Sequence, residues 1–107
     1  MTSPSPPLND RLRYAIEHKH LIEISYHGSM RVAEPHDYGV HKGIERLLVF
    51  QLRDSVHAQN HSATGWRLLD ISQIDECLVL EKNFPGSRGQ LHQSHLLWDK
   101  VYARVSC

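Results

Sequence analysis

In the segment that begins at position 21 of this 107-residue chain, apolar and polar side chains alternate with a period of two. Ile22, Ile24 and Tyr26 fall on one side of an extended chain, while Glu23 and Ser25 fall on the other. Successive side chains of a β-strand point to opposite faces, whereas helical side chains return to one face every three to four residues. The pattern therefore predicts a half-buried strand, and its recurrence predicts a mainly β fold.

Four further segments carry strand patterns, and residues that favour turns separate them. His-Gly-Ser at 27–29 predicts the turn of a β-hairpin, and Pro35 is expected to end the second strand of that hairpin. Lys-Gly at 42–43 predicts another turn, and the polar segment 53–65 predicts a loop. The predicted strands cover residues 21–26, 30–33, 47–52, 66–71 and 77–80, the last closing near Phe84. Five short strands after one helix predict a small β-barrel.

The N-terminal region predicts a leader followed by that helix. Residues 1–8 are rich in Ser and Pro and are expected to be disordered. Asn9 or Asp10 is expected to cap the helix, which ends between positions 18 and 20. Its buried stripe is expected to be Leu12, Ala15 and Ile16. The barrel domain should therefore span residues 9–84.

Residues 85–107 are expected to form a C-terminal extension after the break Pro-Gly-Ser-Arg-Gly at 85–89. Leu97, Val101 and Val105 recur at four-residue intervals, and Trp98 and Tyr102 form an aromatic row beside them. This spacing favours an amphipathic helix that packs on the barrel or on a second subunit. Because the chain is small for burying the aromatic row alone, the row also predicts a homodimer.

Composition limits the classes of function. Twelve Lys and Arg balance twelve Asp and Glu, so the chain lacks the overall basic charge of a protein that binds nucleic acid through its whole surface. Cys77 and Cys107 do not form a disulfide framework, and a reducing cytoplasm is the expected compartment. No apolar run approaches the length that a membrane-spanning helix needs, so no association with a membrane is expected.

Motifs for catalysis are missing from the sequence. It contains neither the G-x-S-x-G elbow of a nucleophilic serine nor a glycine-rich phosphate loop. Histidine pairs at 18/20, 57/61 and 92/95 are close in sequence, but no Cys pair accompanies them and their spacings do not match a closed metal site. We therefore predict that the protein is not an enzyme, with no cofactor and no metal, and that these histidines are solvated.

Arg31 and Arg67 are unusual because each lies inside a predicted strand. Arg67 shares its strand face with Leu69 and Ile71, an otherwise apolar row. A guanidinium among apolar neighbours needs a carboxylate, a phosphate or an aromatic partner. The two alternatives are a structural role, as an ion pair or as a side chain that extends to solvent, and a site for an anionic ligand.

At these strands the sequence resembles the WYL domain of bacterial regulators. Ile24-Ser25-Tyr26, a turn, and then Arg31 to Pro35 resemble the opening of that domain, an I-x-Y strand followed by R-x-x-x-P. The segment 67–74 resembles its R-x-F-x-L-x-x-I segment, and the whole match spans roughly residues 12–84. The Trp-Tyr-Leu tripeptide itself stands here as Arg46-Leu47-Leu48, and Leu69 and Gln73 replace two other family residues.

The resemblance implies an Sm-like (SH3-like) barrel whose groove binds a nucleotide or a nucleic-acid-like effector. By matching position, the site residues would be Ser25, Tyr26, Arg31 and Arg67. The two arginines would contact phosphate, and Tyr26 would stack on the ligand or donate its hydroxyl to it. The winged-helix DNA-binding domain common in the family has no room in this chain, so a stand-alone regulatory module with a partner in transcription or in a defence system is expected. The rival expectation is an Sm-like interaction protein that self-associates or docks on a partner, with no small-molecule ligand.

Overall fold

The protein is one antiparallel sheet with a helix at its N-terminal end. A computed structural model describes residues 6–54, 64–89 and 96–106. The predicted mainly β fold with an N-terminal helix is confirmed. The elements are α1 (Leu8–His18), β1 (His20–Tyr26), β2 (Ser29–His41), β3 (Ile44–Asp54), β4 (Gly65–Asp70), a 3₁₀ helix (Ile71–Gln73), β5 (Ile74–Asn83) and β6 (Lys100–Arg104).

Some predictions fall on residues outside these ranges. They concern the first five residues of the leader, most of the 53–65 loop with its histidines at 57 and 61, the histidines at 92 and 95, and Cys107. Within the ranges, no helix is long and apolar enough to cross a membrane.

Helix α1 buries the predicted stripe but begins without the predicted cap. Leu12, Ala15 and Ile16 are almost fully buried, as expected from their spacing. The residue before the helix is Pro7, and no side chain caps the first turn, so the prediction of a cap at position 9 or 10 is wrong. The proline ring restricts its own φ, here to −56°, which suits the entry to a helix without a side-chain bond. Lys19 ends the helix in the left-handed conformation.

Both predicted turns form, and both use left-handed residues. At 27–28 the φ angles are 50° and 77°, and at 42–43 they are 52° and 76°. Two consecutive positive φ angles define the two-residue hairpin turn whose twist matches that of the flanking strands. The turns therefore fix the β1–β2 and β2–β3 registers.

Strand β2 is the longest strand and runs through the proline that was expected to end it. It has 13 residues, and the pairing with β3 is irregular between Pro35 and Asp37. A proline cannot donate to a ladder, but a strand tolerates it at such an irregularity. The prediction that Pro35 ends the strand is therefore wrong, and the extra length lets β2 pair with β1 over its first half and with β6 over its second half.

The strand order is β4-β3-β2-β1-β5, with β6 on β2 beside β1. The described residues form six strands where five were predicted. No ladder between described residues joins β4 to β5, so the sheet has two edges and is not closed. The hydrogen bond from the Asp70 N–H to the Tyr26 hydroxyl (3.1 Å) links the end of β4 to β1. The sheet therefore curls around an inner face.

The C-terminal extension forms a strand where a helix was predicted. Residues 96–98 have no regular structure and Lys100–Arg104 is β6, so the helix prediction is wrong for the described part of the extension. Tertiary pairing overrides a weak helical period when a neighbouring strand offers unpaired backbone groups. The aromatic side chains pack within the chain, Trp98 against His41 and Tyr102 against Tyr38.

Two buried carboxylates of β2 hold the C-terminal segment on the sheet. Glu34 accepts two hydrogen bonds from Arg88, at 2.8 and 3.1 Å, and the Arg88 guanidinium lies 3.6 Å from the centre of the Phe50 ring. Asp37 accepts from Arg104 at 2.9 and 3.4 Å. Both pairs have the two-point geometry that makes arginine–carboxylate contacts strong.

Candidate functional site

Strand register places three of the four predicted site residues on the inner face of the sheet. Arg31 lies opposite Ile24 and therefore shares a face with Tyr26, two residues further along β1. Arg67 lies opposite Val49, which is buried in the core. Ser25 points to the opposite face, because neighbouring residues of a strand alternate. The structure thus brings Tyr26, Arg31 and Arg67 to one face and leaves Ser25 out.

The Arg31 guanidinium is held by neutral groups. It lies 5.2 Å from the centre of the Tyr26 ring, and its Nη1 donates to Oε1 of Gln51 at 3.2 Å. Its Nε is buried and has no hydrogen-bond partner in the part of the chain that the structure describes. Among the described residues, the two arginine–carboxylate ion pairs are those of Arg88 and Arg104. The positive charge of Arg31 is therefore half-buried beside an aromatic ring and an amide.

Gln51 is the residue that connects Arg31 with Arg67. It is only 3% exposed and lies in β3 between Ala33 of β2 and Gly65 of β4. Gly65 has a φ of 140°, and a Cβ at this position would lie 3.3 Å from Nη1 of Arg67. The Arg67 head group therefore lies over Gly65, directly across the ladder from Gln51.

Arg31 and Arg67 approach this cross-strand pair from opposite directions along the sheet. Paired residues in an antiparallel ladder have Cα atoms about 4.5–5.5 Å apart. One guanidinium contacts the Gln51 side chain and the other covers Gly65, its ladder partner. Both guanidinium groups thus lie beside the Gln51–Gly65 pair on the inner face. Arg67 also donates to the carbonyl oxygen of Trp66 at 2.9 Å, which fixes its direction.

Tyr26 supports Arg31 and the end of β4. Its hydroxyl accepts from the Asp70 N–H, and its ring stacks on His27 with centroids 4.2 Å apart. With Arg31 over the ring and only 9% of the residue exposed, the ring is already covered by described residues and offers no face to a ligand base. Hydrogen bonds from Ser72 to the Asp70 carboxylate lower the pKa of Asp70. We therefore treat Tyr26 as a residue that positions Arg31.

The chemistry available here is the binding of an anion. Two guanidinium groups present planar arrays of donors that suit phosphate or carboxylate oxygens, and the Gln51 amide fixes one of them. Within the described residues, no group of three or more His, Cys, Asp and Glu is arranged to hold a metal. The sequence analysis missed Gln51 and Gly65, although a polar residue inside the apolar run 47–52 was a signal for the first.

Comparison with models of known protein families, with curated proteins and with solved structures finds no match. The resemblance to the WYL domain therefore stays an expectation. Function has to be inferred from the geometry of this chain.

Proposed function

We propose that this protein is a non-enzymatic binding module that holds a phosphate-bearing anion on the inner face of its sheet, against Arg31, Gln51 and Arg67. The observation that carries the proposal is the convergence of two guanidinium groups on the Gln51–Gly65 pair, with Arg31 held by neutral partners among the described residues. An anion placed there would compensate the half-buried charge of Arg31 and lessen the repulsion between the two cations.

The structural alternative for Arg31 is an ion pair within the fold. Such a pair needs a carboxylate, and the ion pairs of the described residues join Glu34 to Arg88 and Asp37 to Arg104. Among the side chains that the structure describes, Arg31 contacts an aromatic face and a neutral amide, and neither carries a negative charge. This difference favours a ligand role for Arg31 over a purely structural one.

The order of elements supports the finer assignment to a WYL-like, Sm-like barrel. An N-terminal helix precedes five strands in the order β4-β3-β2-β1-β5, and the Asp70–Tyr26 hydrogen bond draws β4 toward β1. On this assignment the ligand is a nucleotide or a short nucleic-acid-like effector in the cytoplasm, and binding regulates a partner protein. Phosphate contacts by arginine would supply affinity, and the neighbouring loops would supply specificity.

The test is a thermal-shift screen followed by titration calorimetry. The probes are inorganic phosphate, AMP, ATP, a cyclic nucleotide and a short single-stranded oligonucleotide, each against the wild type, Arg31→Ala and Arg67→Ala. Each charge-assisted contact contributes about 1.5–3 kcal/mol, so either variant should bind roughly ten- to hundredfold more weakly. Arg13→Ala is the matched control, because Arg13 lies over the Tyr102 ring at 5.3 Å as Arg31 lies over Tyr26 at 5.2 Å.

The proposal fails if none of the probes binds, or if the affinity is the same in the wild type and both site variants. It also fails if Arg13→Ala weakens binding as much as Arg31→Ala, since the loss would then report general charge. A fall in melting temperature for Arg31→Ala with unchanged affinity would assign Arg31 to the fold alone.

Exposed apolar side chains of the C-terminal segment favour a second function, self-association. Leu97 is 85% exposed and Val101 is 41% exposed, beside the packed Trp98. Singly exposed apolar residues are ordinary, but two close in sequence on one segment suit a contact with a second copy. Light scattering over a concentration series should show a dimer that Leu97→Lys dissociates, and a monomeric mass at high concentration would refute it.

A further inference from the structure

Strand β5 is an edge of the sheet. In the described part of the chain it pairs along one side only, with β1, and it stands at the end of the strand order. An edge strand presents backbone N–H and C=O groups that a strand from another chain can pair with. Leu78, in the middle of β5, is 59% exposed. The edge therefore combines backbone groups with an exposed apolar side chain.

Two recesses flank this edge, one on each face of the sheet. The recess on the helix side has a volume of about 540 Å³, and its lining is mainly apolar, with Pro6, Tyr14 and Val79 beside Asp10 and Arg11. The second recess has a volume of about 380 Å³ and is lined by the carboxylates of Glu23, Asp75 and Glu76, with Met30 and Arg11 beside them. The two recesses meet at Cys77 and Leu78 of β5.

The two recesses differ in chemistry. Register places Leu78 opposite Glu23 and Glu76 opposite Ser25, so these side chains lie on the face away from the helix. Cys77 and Val79 alternate with them and lie on the helix face. An added strand would meet mainly apolar walls on one face and, on the other, three carboxylates that outnumber the one guanidinium of Arg11.

We propose that the β5 edge receives an extended segment of a partner protein whose residues alternate between apolar and basic. The segment pairs with the β5 backbone as an additional antiparallel or parallel strand. Its apolar side chains enter the recess beside Tyr14 and Val79, and its Lys or Arg side chains face Glu23 and Glu76. Alternation is required because successive side chains of the added strand point to opposite faces.

Arg11 contacts this edge in the free protein. Its Nη1 donates to the carbonyl oxygen of Cys77, and Arg11 lines both recesses. An added strand offers a backbone N–H for the same carbonyl, so the Arg11 contact is exchanged and the acceptor stays satisfied. The surface shares no residue with the Arg31 site, and the proposal does not depend on the anion-binding function.

The experiment uses a fluorescein-labelled octapeptide of alternating Lys and Val, titrated into the full-length protein and followed by fluorescence anisotropy. We expect saturable binding that Leu78→Lys and Glu76→Lys each weaken at least tenfold. Ile44→Lys is the matched control, because Ile44 is also an exposed apolar residue (40%) but lies at the start of β3 and lines neither recess. Circular dichroism establishes that each variant folds.

Peptide variants separate strand pairing from charge attraction. N-methylation of one set of alternate amides should abolish binding, while methylation of the other set should leave it unchanged, because only one set faces β5. A peptide of the same composition with its lysines and valines in two blocks, and a Glu-Val alternating peptide, should not bind.

The proposal is overturned if the block peptide binds as tightly as the alternating one, if neither methylated peptide loses affinity, or if Leu78→Lys and Glu76→Lys bind as the wild type does. Absence of binding at millimolar peptide also overturns it. If the protein alone dimerises and Leu78→Lys dissociates that dimer, the occupant of the edge is a second copy, and the partner-segment proposal is wrong.

Discussion

Replacing Gly39 by alanine should detach β6 from the sheet. A Cβ at position 39 would lie 2.0 Å from the carbonyl oxygen of Lys100 and 3.0 Å from the Cα of Val101. Ordinary contacts of this kind are about 3.4–4 Å, so the β6 backbone would have to move by roughly 1.5 Å or more. Because both groups that clash are backbone, rotation of a side chain cannot relieve the overlap.

The cost follows from what β6 carries. Overpacking a core costs about 1–3 kcal/mol, and release of β6 would also break the contact between Arg104 and the Asp37 carboxylate, which is fully buried. Breaking a buried ion pair costs about 3–5 kcal/mol. The cost is smaller here, because the Arg104 side chain is half exposed and solvent screens its charge. We therefore expect Gly39→Ala to lower the free energy of unfolding by about 2–4 kcal/mol, or the melting temperature by roughly 10–25 °C.

Urea unfolding followed by circular dichroism measures this loss, and hydrogen exchange locates it. Exchange should increase at the β2–β6 ladder, from 37 to 40 and from 100 to 104, while the β1–β5 ladder keeps its protection. Val40→Ala, in the same strand, is the control for a small change in side-chain volume. If the stability of Gly39→Ala equals that of the wild type, or if exchange increases equally in all strands, the close approach of β2 and β6 is wrong.

Three further outcomes test other contacts. Arg88→Ala should lower the free energy of unfolding, measured with urea, by about 2–4 kcal/mol because it leaves the buried Glu34 carboxylate unpaired. Adding Glu34→Gln to this variant should recover part of the loss. If the losses of the two single variants simply add in the double variant, the ion pair is contradicted. Burial, and then a hydrogen bond to a carboxylate, raise the pKa of Tyr38 from 10.0 to about 12. The neutral phenol therefore contributes fully to the free energy of unfolding below pH 10, and this contribution of about 2–3 kcal/mol is lost between pH 10 and 12. Tyr38→Phe should remove this part of the pH dependence of unfolding. Burial raises the pKa of the Cys77 thiol to about 11. In a Cys107→Ser protein at pH 8, mass spectrometry should therefore show that Cys77 is alkylated at least tenfold more slowly in the folded than in the denatured protein. Equal rates would show that the thiol is accessible.

Local patterns predict those elements that local interactions determine. The period of two predicted β1, and short apolar segments between turn residues predicted β3, β4 and β5. Gly28 and Gly43 predicted the two turns, because a turn needs residues that accept a positive φ. The stripe that begins at Leu12 predicted the buried face of α1. Each of these signals involves residues that are close together in the chain.

The features that were missed depend on partners that are distant in the chain. Strand β6 pairs with β2 from the far end of the sequence, since Asp37 and Arg104 are 67 positions apart, and no local pattern encodes that pairing. The same partner explains why β2 continues past Pro35, since its second half is held on both sides by ladders. A four-residue recurrence in the tail was a weaker constraint than an available strand edge.

The candidate site was predictable where a residue interrupted an apolar face. Arg67 stood out for this reason, and the structure places it on the inner face with Arg31. Gln51 also lies on that face, but its position inside a run of apolar residues made it resemble core. Ser25 entered through the family resemblance alone, although the alternation of β1 already placed its side chain opposite that of Tyr26.

The contrast among the partly buried arginines gives the anion proposal its physical basis. Arg88 and Arg104 are held by buried carboxylates of β2, and each therefore joins the C-terminal segment to the sheet with its charge compensated. Arg31 is held by an aromatic ring and by Gln51, so the contacts that the structure describes fix its direction without a carboxylate. A fold that needed only attachment would gain more from a third carboxylate at position 51, because a charged acceptor roughly doubles the strength of the hydrogen bond. A neutral amide at this position orients the guanidinium without neutralising it, which suits the binding of an anion from outside the chain.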